Sequence, residues 1–410
     1  MRFRILAAGL VTTLGIATAF GQQVKVKPTP TRASAADREK AFAAMLEGQR
    51  YMWLLSRTRS QAVMATNASL AKSAFARAVE TDPSLAEAYT AMAELSVVAP
   101  PGDSASALDL ANRAVKIDPD NIGAHRILAR LYTFGSGVNT NQFSAAEAAL
   151  AVAEWKDVAR IDPRNPEAWA FLAELHDELK QPAQRIAALR KWLAASQPVD
   201  VGFYRRVMGA AEDLRPEAAS IKLGIALTNA GEFREAVETL SIVIADAPDN
   251  VVALDYLAKA LGSVDARTAS LAVQPLQQAA FGDPTNVTLV RLLAEAQVRS
   301  GRTEDAVGGL TKTAARLLET DRTAAASIEV VLGDVYAGAG RVPEAVTSYE
   351  RALRTRAIGG MPVASSDRDF AILVFGKIIE VYRAANRLAD ANAVRDRARR
   401  LLETAGLFAS

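Results

Sequence analysis

The sequence predicts an all-α solenoid, about nine helix hairpins stacked side by side. Three observations carry this. A spacing of large, small and proline residues recurs about every 34 residues along most of the chain. Half the residues are hydrophobic but only 6% are aromatic, alanine supplying much of the rest. That composition favours closely packed helices over disorder. No stretch alternates apolar and polar residues as a half-buried strand does. At 410 residues the chain exceeds one compact core, and a long repeat array accommodates that length.

Residues 1–21 read as a secretory signal peptide. Arg2 and Arg4 form a basic start, Ile5 to Phe20 is an apolar run, and Ala19 and Gly21 place small residues before a cut ahead of Gln22. The alternative is an uncleaved anchor, but the apolar run falls short of the roughly 20 residues that span a bilayer. Residues 22–39 read as a flexible linker, since QQVKVKPTPTRASAA from Gln22 is polar, carries two prolines and has no periodicity.

The repeat is plainest from Glu217 to Asn250. Counting from Glu217, Leu223 stands at position 7, Gly224 at 8, Leu227 at 11, Gly231 at 15, Phe233 at 17, Ala236 at 20, Leu240 at 24 and Pro248 at 32. Two helices joined by a tight turn need small residues where they cross, which Gly224 and Ala236 provide. Gly231 suits the turn because it accepts positive φ without steric cost. Pro248 ends the second helix, having no amide proton to donate.

The same frame recurs through Gly333, Tyr336, Gly340, Ala345, Tyr349 and Ala352, and through Ala294, Gly301, Ala306 and Leu310. Phe375, Ile378, Tyr382, Ala391 and Ala398 give a further copy. Leu257, Ala258, Ala272, Leu276 and Pro284 match after two extra loop residues. Earlier copies begin at Gly48 and Tyr51, at Tyr89 and Met92, at His125 and Leu128, and at Trp169 and Leu172.

This spacing resembles the tetratricopeptide repeat. The resemblance implies a right-handed superhelix whose first helices line a concave groove that binds protein segments. Hairpins one to four occupy residues 40–200 and five to nine residues 217–402, with 201–216 an extra helix or linker and 403–410 a tail. Surplus residues near Ser56 to Asn67 and from Phe134 to Phe143 read as loop insertions, and Met361 to Arg368 as a loop. Arg185 stands where alanine is expected, which makes the fourth hairpin less regular. Asn165-Pro166-Glu167 reads as a helix cap followed by first-turn proline. The last helix, from Leu388, carries RDRARR and suits a polar end cap.

Chemistry is sparse. There are two His and no Cys, so disulfides, thiolate metal sites and lipid attachment at a cysteine are all excluded. No nucleophile elbow, phosphate loop or dinucleotide fingerprint occurs. His125 and His176 fall on packing positions. Glu174, Asp177 and Glu178 lie beside His176, but one and two residues away rather than the three or four that would share a face with it. Trp53, Trp155, Trp169 and Trp192 read as core. No catalytic residue, metal site, cofactor or small-molecule substrate is expected. The 48 basic residues less Arg2 and Arg4 equal the 46 acidic ones, a balance that argues against a nucleic-acid footprint.

The resemblance places positions 2, 5, 9 and 12 of each first helix in the groove. Those positions give Arg126 and Arg130, then Glu167, Glu174 and Asp177, then Ile221 and Ile225, then Asp255 and Lys259, and finally Arg291 and Glu295. Some family members clamp acidic C-termini through Lys and Asn. Arg126 and Arg130 occupy two such positions, but Phe171 stands where Asn is expected, and that function is not carried over. The reading that results is an exported, periplasmic scaffold or adaptor that binds protein. The alternative is a membrane-anchored assembly factor for a secretion, pilus or polysaccharide-export complex.

Overall fold

The computed structural model describes residues 33–195, 216–357 and 365–403. Among these every regular element is a helix. They form nine consecutive hairpins: α1 Ala35–Arg57 with α2 Gln61–Thr81, α3 Ala86–Val98 with α4 Ser104–Ile117, and α5 Ile122–Gly135 with α6 Ala145–Ile161. Next come α7 Pro166–Glu178 with α8 Pro182–Ala194, α9 Pro216–Ala230 with α10 Phe233–Asp246, and α11 Val251–Leu261 with α12 Ala266–Gly282. The last are α13 Val287–Arg299 with α14 Thr303–Leu317, α15 Arg322–Gly338 with α16 Val342–Thr355, and α17 Ser365–Ala384 with α18 Leu388–Glu403. Each first helix packs on its own partner and on its neighbours except in the sixth hairpin, where α12 packs on α10 and α13 rather than on α11, and the whole is the all-α solenoid that the repeat predicts.

Within a hairpin the crossing is set by size. A Cβ added at Gly333 would lie 2.6 Å from Cδ1 and 2.8 Å from Cζ of Tyr349. One at Gly224 would lie 2.5 Å from Cγ of Leu240, and one at Gly48 2.8 Å from Cζ of Phe75. In three hairpins a large second-helix side chain therefore rests directly on the backbone of the first.

The turn inside the hairpin is equally repetitive. Position 15 adopts left-handed backbone at Lys180, Gly231, Gly301, Gly340 and Asn386. The next amide then donates back to a carbonyl five residues earlier, as from Glu232 to Leu227 at 2.9 Å and from Gln181 to His176 at 2.8 Å. This is the Schellman closure of a helix end. Lys180 and Asn386 adopt it without glycine, and the frame alone does not foresee that.

Between hairpins an Asp-Pro-x-Asn connector does the work in three places. Asp118, Asp162 and Asp283 follow the second helices, and each carboxylate accepts the amide two residues on, at 3.1, 3.2 and 3.1 Å. Asn121, Asn165 and Asn286 then cap the next first helices by accepting the amide three residues on, at 2.9, 3.2 and 3.1 Å. Both are local side-chain bonds that replace lost helical ones.

The structure corrects several expectations. The surplus near Ser56 to Asn67 is not a loop: α1 and α2 run to 23 and 21 residues and absorb it as extra turns, leaving Thr58 to Ser60 as the connector. The surplus from Phe134 does form an irregular connector, anchored by buried Val138. Helix α1 starts within the expected linker, where Ser34 caps it by accepting the Asp37 amide at 3.1 Å. Helix α17 begins at Ser365, inside the segment expected to be a loop. Trp155 and Trp192 are core and Trp169 is half-buried, but Trp53 is 54% exposed, with Arg57 4.4 Å above its ring. Helix α1 is the first described helix, and no described hairpin lies before it. The expected signal peptide, the proline-bearing part of the linker, most of the 201–216 segment and all but the start of the tail lie outside the described residues.

Candidate functional site

First helices of successive hairpins touch along one side, α3 with α5, α9 with α11, α11 with α13 and α13 with α15. The candidate groove residues ride on α5, α9, α11 and α13 and on α7, which meets α5 and α9 through side-chain ion pairs. What they do there differs from hairpin to hairpin.

On α5 and α7 the opposite charges meet. Glu167 is 2% exposed, and both arginines reach it. Arg126 donates from Nε at 2.7 Å, while Arg130 donates from Nε at 2.9 Å and from a terminal nitrogen at 2.6 Å. The side chains of Arg126 and Arg130 keep 37% and 21% of their exposure. Glu174, also buried, accepts from Lys222 of α9 at 2.7 Å. Asp177 pairs at 2.7 Å with Arg185, which explains how an arginine stands at an alanine position: it reaches back across the turn to a carboxylate. The basic and acidic bands that sequence separates are thus partly one ion-paired seam, and Glu167 is not open to a ligand.

Farther along, pairing is local and exposed. Lys259 donates to Asp255 at 2.7 Å within α11 and stands 4.4 Å over the Tyr256 ring. Glu295 sits 3.7 Å from Arg291 and accepts from Arg299 at 3.2 Å within α13. Ile221 and Ile225 are half-buried, and Ile221 packs on the core. The more open apolar surface is one hairpin on. Val252, at position 2 of its repeat on α11, is 49% exposed, and Val251 beside it is more so. Position counting could have found Val252, since it shares a column with Glu167.

Two further carboxylates complete this side. Asp334 on α15 accepts the Tyr349 hydroxyl at 2.6 Å and Lys377 of α17 at 2.8 Å. Burial, then the hydrogen bond to Asp334, drives the Tyr349 hydroxyl far above its ordinary range. Glu329 is buried and accepts from Arg351 at 3.0 Å, and burial pushes its carboxyl up.

The histidines are built into the packing. His125 places Nδ1 2.6 Å from a Glu154 oxygen and Nε2 3.0 Å from the Pro119 carbonyl. Both ring nitrogens face acceptors, and the Glu154 bond raises its pKa most. His176 meets Gln181 at 2.7 Å, and burial lowers its pKa. Among the described residues no cluster of three His, Cys, Asp or Glu side chains could hold a metal ion. None of the described helices is long and apolar enough to cross a membrane.

No curated protein sequence matches the chain. Solved structures similar to parts of it include YrrB, described as a TPR protein with an unusual peptide-binding site, at 16% identity, TM-score 0.33, 53% of this chain and 95% of that one. BtubC from P. vanneervenii is 20% identical at TM-score 0.29, over 63% and 89% of the two chains. The type IV pilus biogenesis factor PilW is 17% identical at TM-score 0.25, over 66% and 93%. These superpositions carry nothing about partners. The tetratricopeptide-repeat family model matches residues 292–362, from within α13 to beyond α16. The same hairpin, with its crossing and its left-handed turn, recurs on both sides of that segment, so the tetratricopeptide-like architecture extends along the described residues.

Proposed function

We propose that this chain is an exported protein-binding scaffold that holds a partner segment along the inner face of hairpins five to seven. Tetratricopeptide repeats are protein-binding scaffolds in general. The observation that carries this particular reading is the contrast along the inner face. Between α5, α7 and α9 the charges are taken up by one another. From α9 to α13, Ile221, Ile225 and the exposed Val252 lie beside the solvated pairs Asp255–Lys259 and Arg291–Glu295. An apolar centre with charged flanks suits an extended or helical segment. It binds rather than catalyses, with the charges acting on encounter and register.

The test begins with a partner captured by the full chain from its native source and then purified. Val252→Asp with Ile225→Asp should weaken its binding at least tenfold while leaving the far-ultraviolet circular dichroism unchanged. Equal affinity of variant and wild type would refute the assignment. Export is tested separately by N-terminal sequencing of the secreted protein, which should begin near Gln22. A retained leader would favour the anchored assembly factor instead.

A further inference from the structure

On the outer side, second helices α12 and α14 flank a cleft of about 700 Å³. The second helices α10 and α12 pack closely on each other, whereas α12 and α14, like the other successive second helices described, do not. The floor is apolar and comes from α13, through Val290, Leu293 and Ala294. One wall is the Val273, Gln277 and Phe281 face of α12, three residues four apart, and Phe281 is 82% exposed at its end. The other wall is α14, with Gly308, Gly309, Lys312 and Arg316.

One wall carries residues that helices use reluctantly, since two adjacent glycines lie inside α14. A Cβ added at Gly308 or Gly309 would meet nothing within 4 Å, so packing within this chain does not call for either glycine. Their effect is an open backbone surface that another helix can approach closely.

The charge is one-sided. Among the described residues no carboxylate comes within ion-pair distance of Arg302, Lys312 or Arg316, all of which line the cleft. Of the two acids there, Glu304 is engaged by Arg341 at 3.0 Å, which leaves Asp305 against three cations. Lys312 and Arg316 stand one turn apart along the wall, so carboxylates one turn apart on a docked helix would face them.

We propose that this cleft is a second docking site, separate from the inner groove, which takes an acidic amphipathic helix of a partner protein. The helix lays its apolar stripe on the α13 floor under Phe281, brings its backbone against Gly308 and Gly309, and turns carboxylates to Lys312 and Arg316. Helix α13 separates the two sites, its Arg291 and Glu295 facing the inner groove and its Leu293 the cleft.

Three fluorescein-labelled helical peptides test this. They share one leucine stripe and carry Glu, Gln or Lys beside it, and anisotropy is read against the full chain. The Glu peptide should bind at least tenfold tighter than the Lys peptide, with affinity falling as salt rises. Gly308→Leu with Gly309→Leu fills the cleft and should remove binding while the helical signal persists. Lys312→Glu with Arg316→Glu should reverse the preference between Glu and Lys peptides. Ile225→Asp, in the inner groove, should leave Glu-peptide binding unchanged. Binding indifferent to peptide charge, binding that survives the double leucine variant, or loss on Ile225→Asp would each overturn the proposal. So would sedimentation showing that the cleft instead pairs two copies of the chain.

Discussion

Replacing glycine by alanine should have opposite signs at two places in adjacent hairpins. At Gly333 the new methyl would stand 2.6 and 2.8 Å from ring atoms of Tyr349. That ring is fully buried and tethered through its hydroxyl to Asp334 at 2.6 Å, so it cannot swing aside. Overpacking a filled core costs about 1–3 kcal/mol, and the tether puts Gly333 near the upper end. Alanine recovers about 1 kcal/mol of helix propensity. Gly333→Ala should therefore lose about 2 kcal/mol net. At Gly309 nothing lies within 4 Å of the added carbon, so only the propensity gain remains, about 0.5–1 kcal/mol. The assay is urea denaturation followed by circular dichroism at 222 nm, comparing midpoints of both variants with wild type. A Gly333→Ala midpoint at or above wild type, or a Gly309→Ala midpoint below it, would refute the steric reasoning.

Lys180 holds a left-handed conformation that costs a side-chain-bearing residue about 1 kcal/mol, so Lys180→Gly should raise the melting temperature by a degree or more, and a fall would show that the lysine makes a compensating contact. Glu167→Ala removes the buried carboxylate that Arg126 and Arg130 share, and a loss of about 1–3 kcal/mol is expected in denaturant; no loss would mean that the ion-paired seam is energetically neutral. The two histidines should titrate on opposite sides of the ordinary value of 6.5, which imidazole NMR resolves because the chain has only two. His125, raised, contributes stability that is complete below 6.5 and lost as pH climbs through its folded value, whereas His176, lowered, contributes stability present above 6.5 and lost as pH falls toward its folded value. Finding His125 at or below 6.5 would contradict its two-acceptor geometry.

The hairpins were legible because their determinants are local and periodic. Gly224, Gly231 and Pro248 each act within a few residues of their own position, and a fixed period repeats them. What sequence hid was decided across hairpins. Arg126 and Glu167 lie 41 residues apart, and a position count says that both face inward but not that the long arginine side chain spans the gap. The pairing turned two expected ligand-facing bands into one seam. Trp53 misled for a related reason: its position reads as core only if another hairpin precedes it. The surplus before Asn67 lengthens two helices instead of forming the expected loop, because inserted residues with good helix propensity extend helices as readily as they make loops. Lys180 and Asn386 had no signal beyond their position, since the turn imposes φ and glycine is only its most comfortable occupant. The cleft beside α14 left one trace, the Gly308-Gly309 pair, which a frame built on packing positions passes over.

The apolar core is not uniform along the array. One contiguous cluster runs from Ala129 to Leu332, while separate smaller clusters serve the first two hairpins, the second to third, and the last two. In a chain of nearest-neighbour contacts, each boundary between clusters is a place where cohesion is weakest. Pulled at its termini, the molecule should yield in stages: the end hairpins peel away under small forces, and the central block gives way last. A solenoid built so has a stiff middle and compliant ends, so its extremities can bend while the central hairpins hold their geometry.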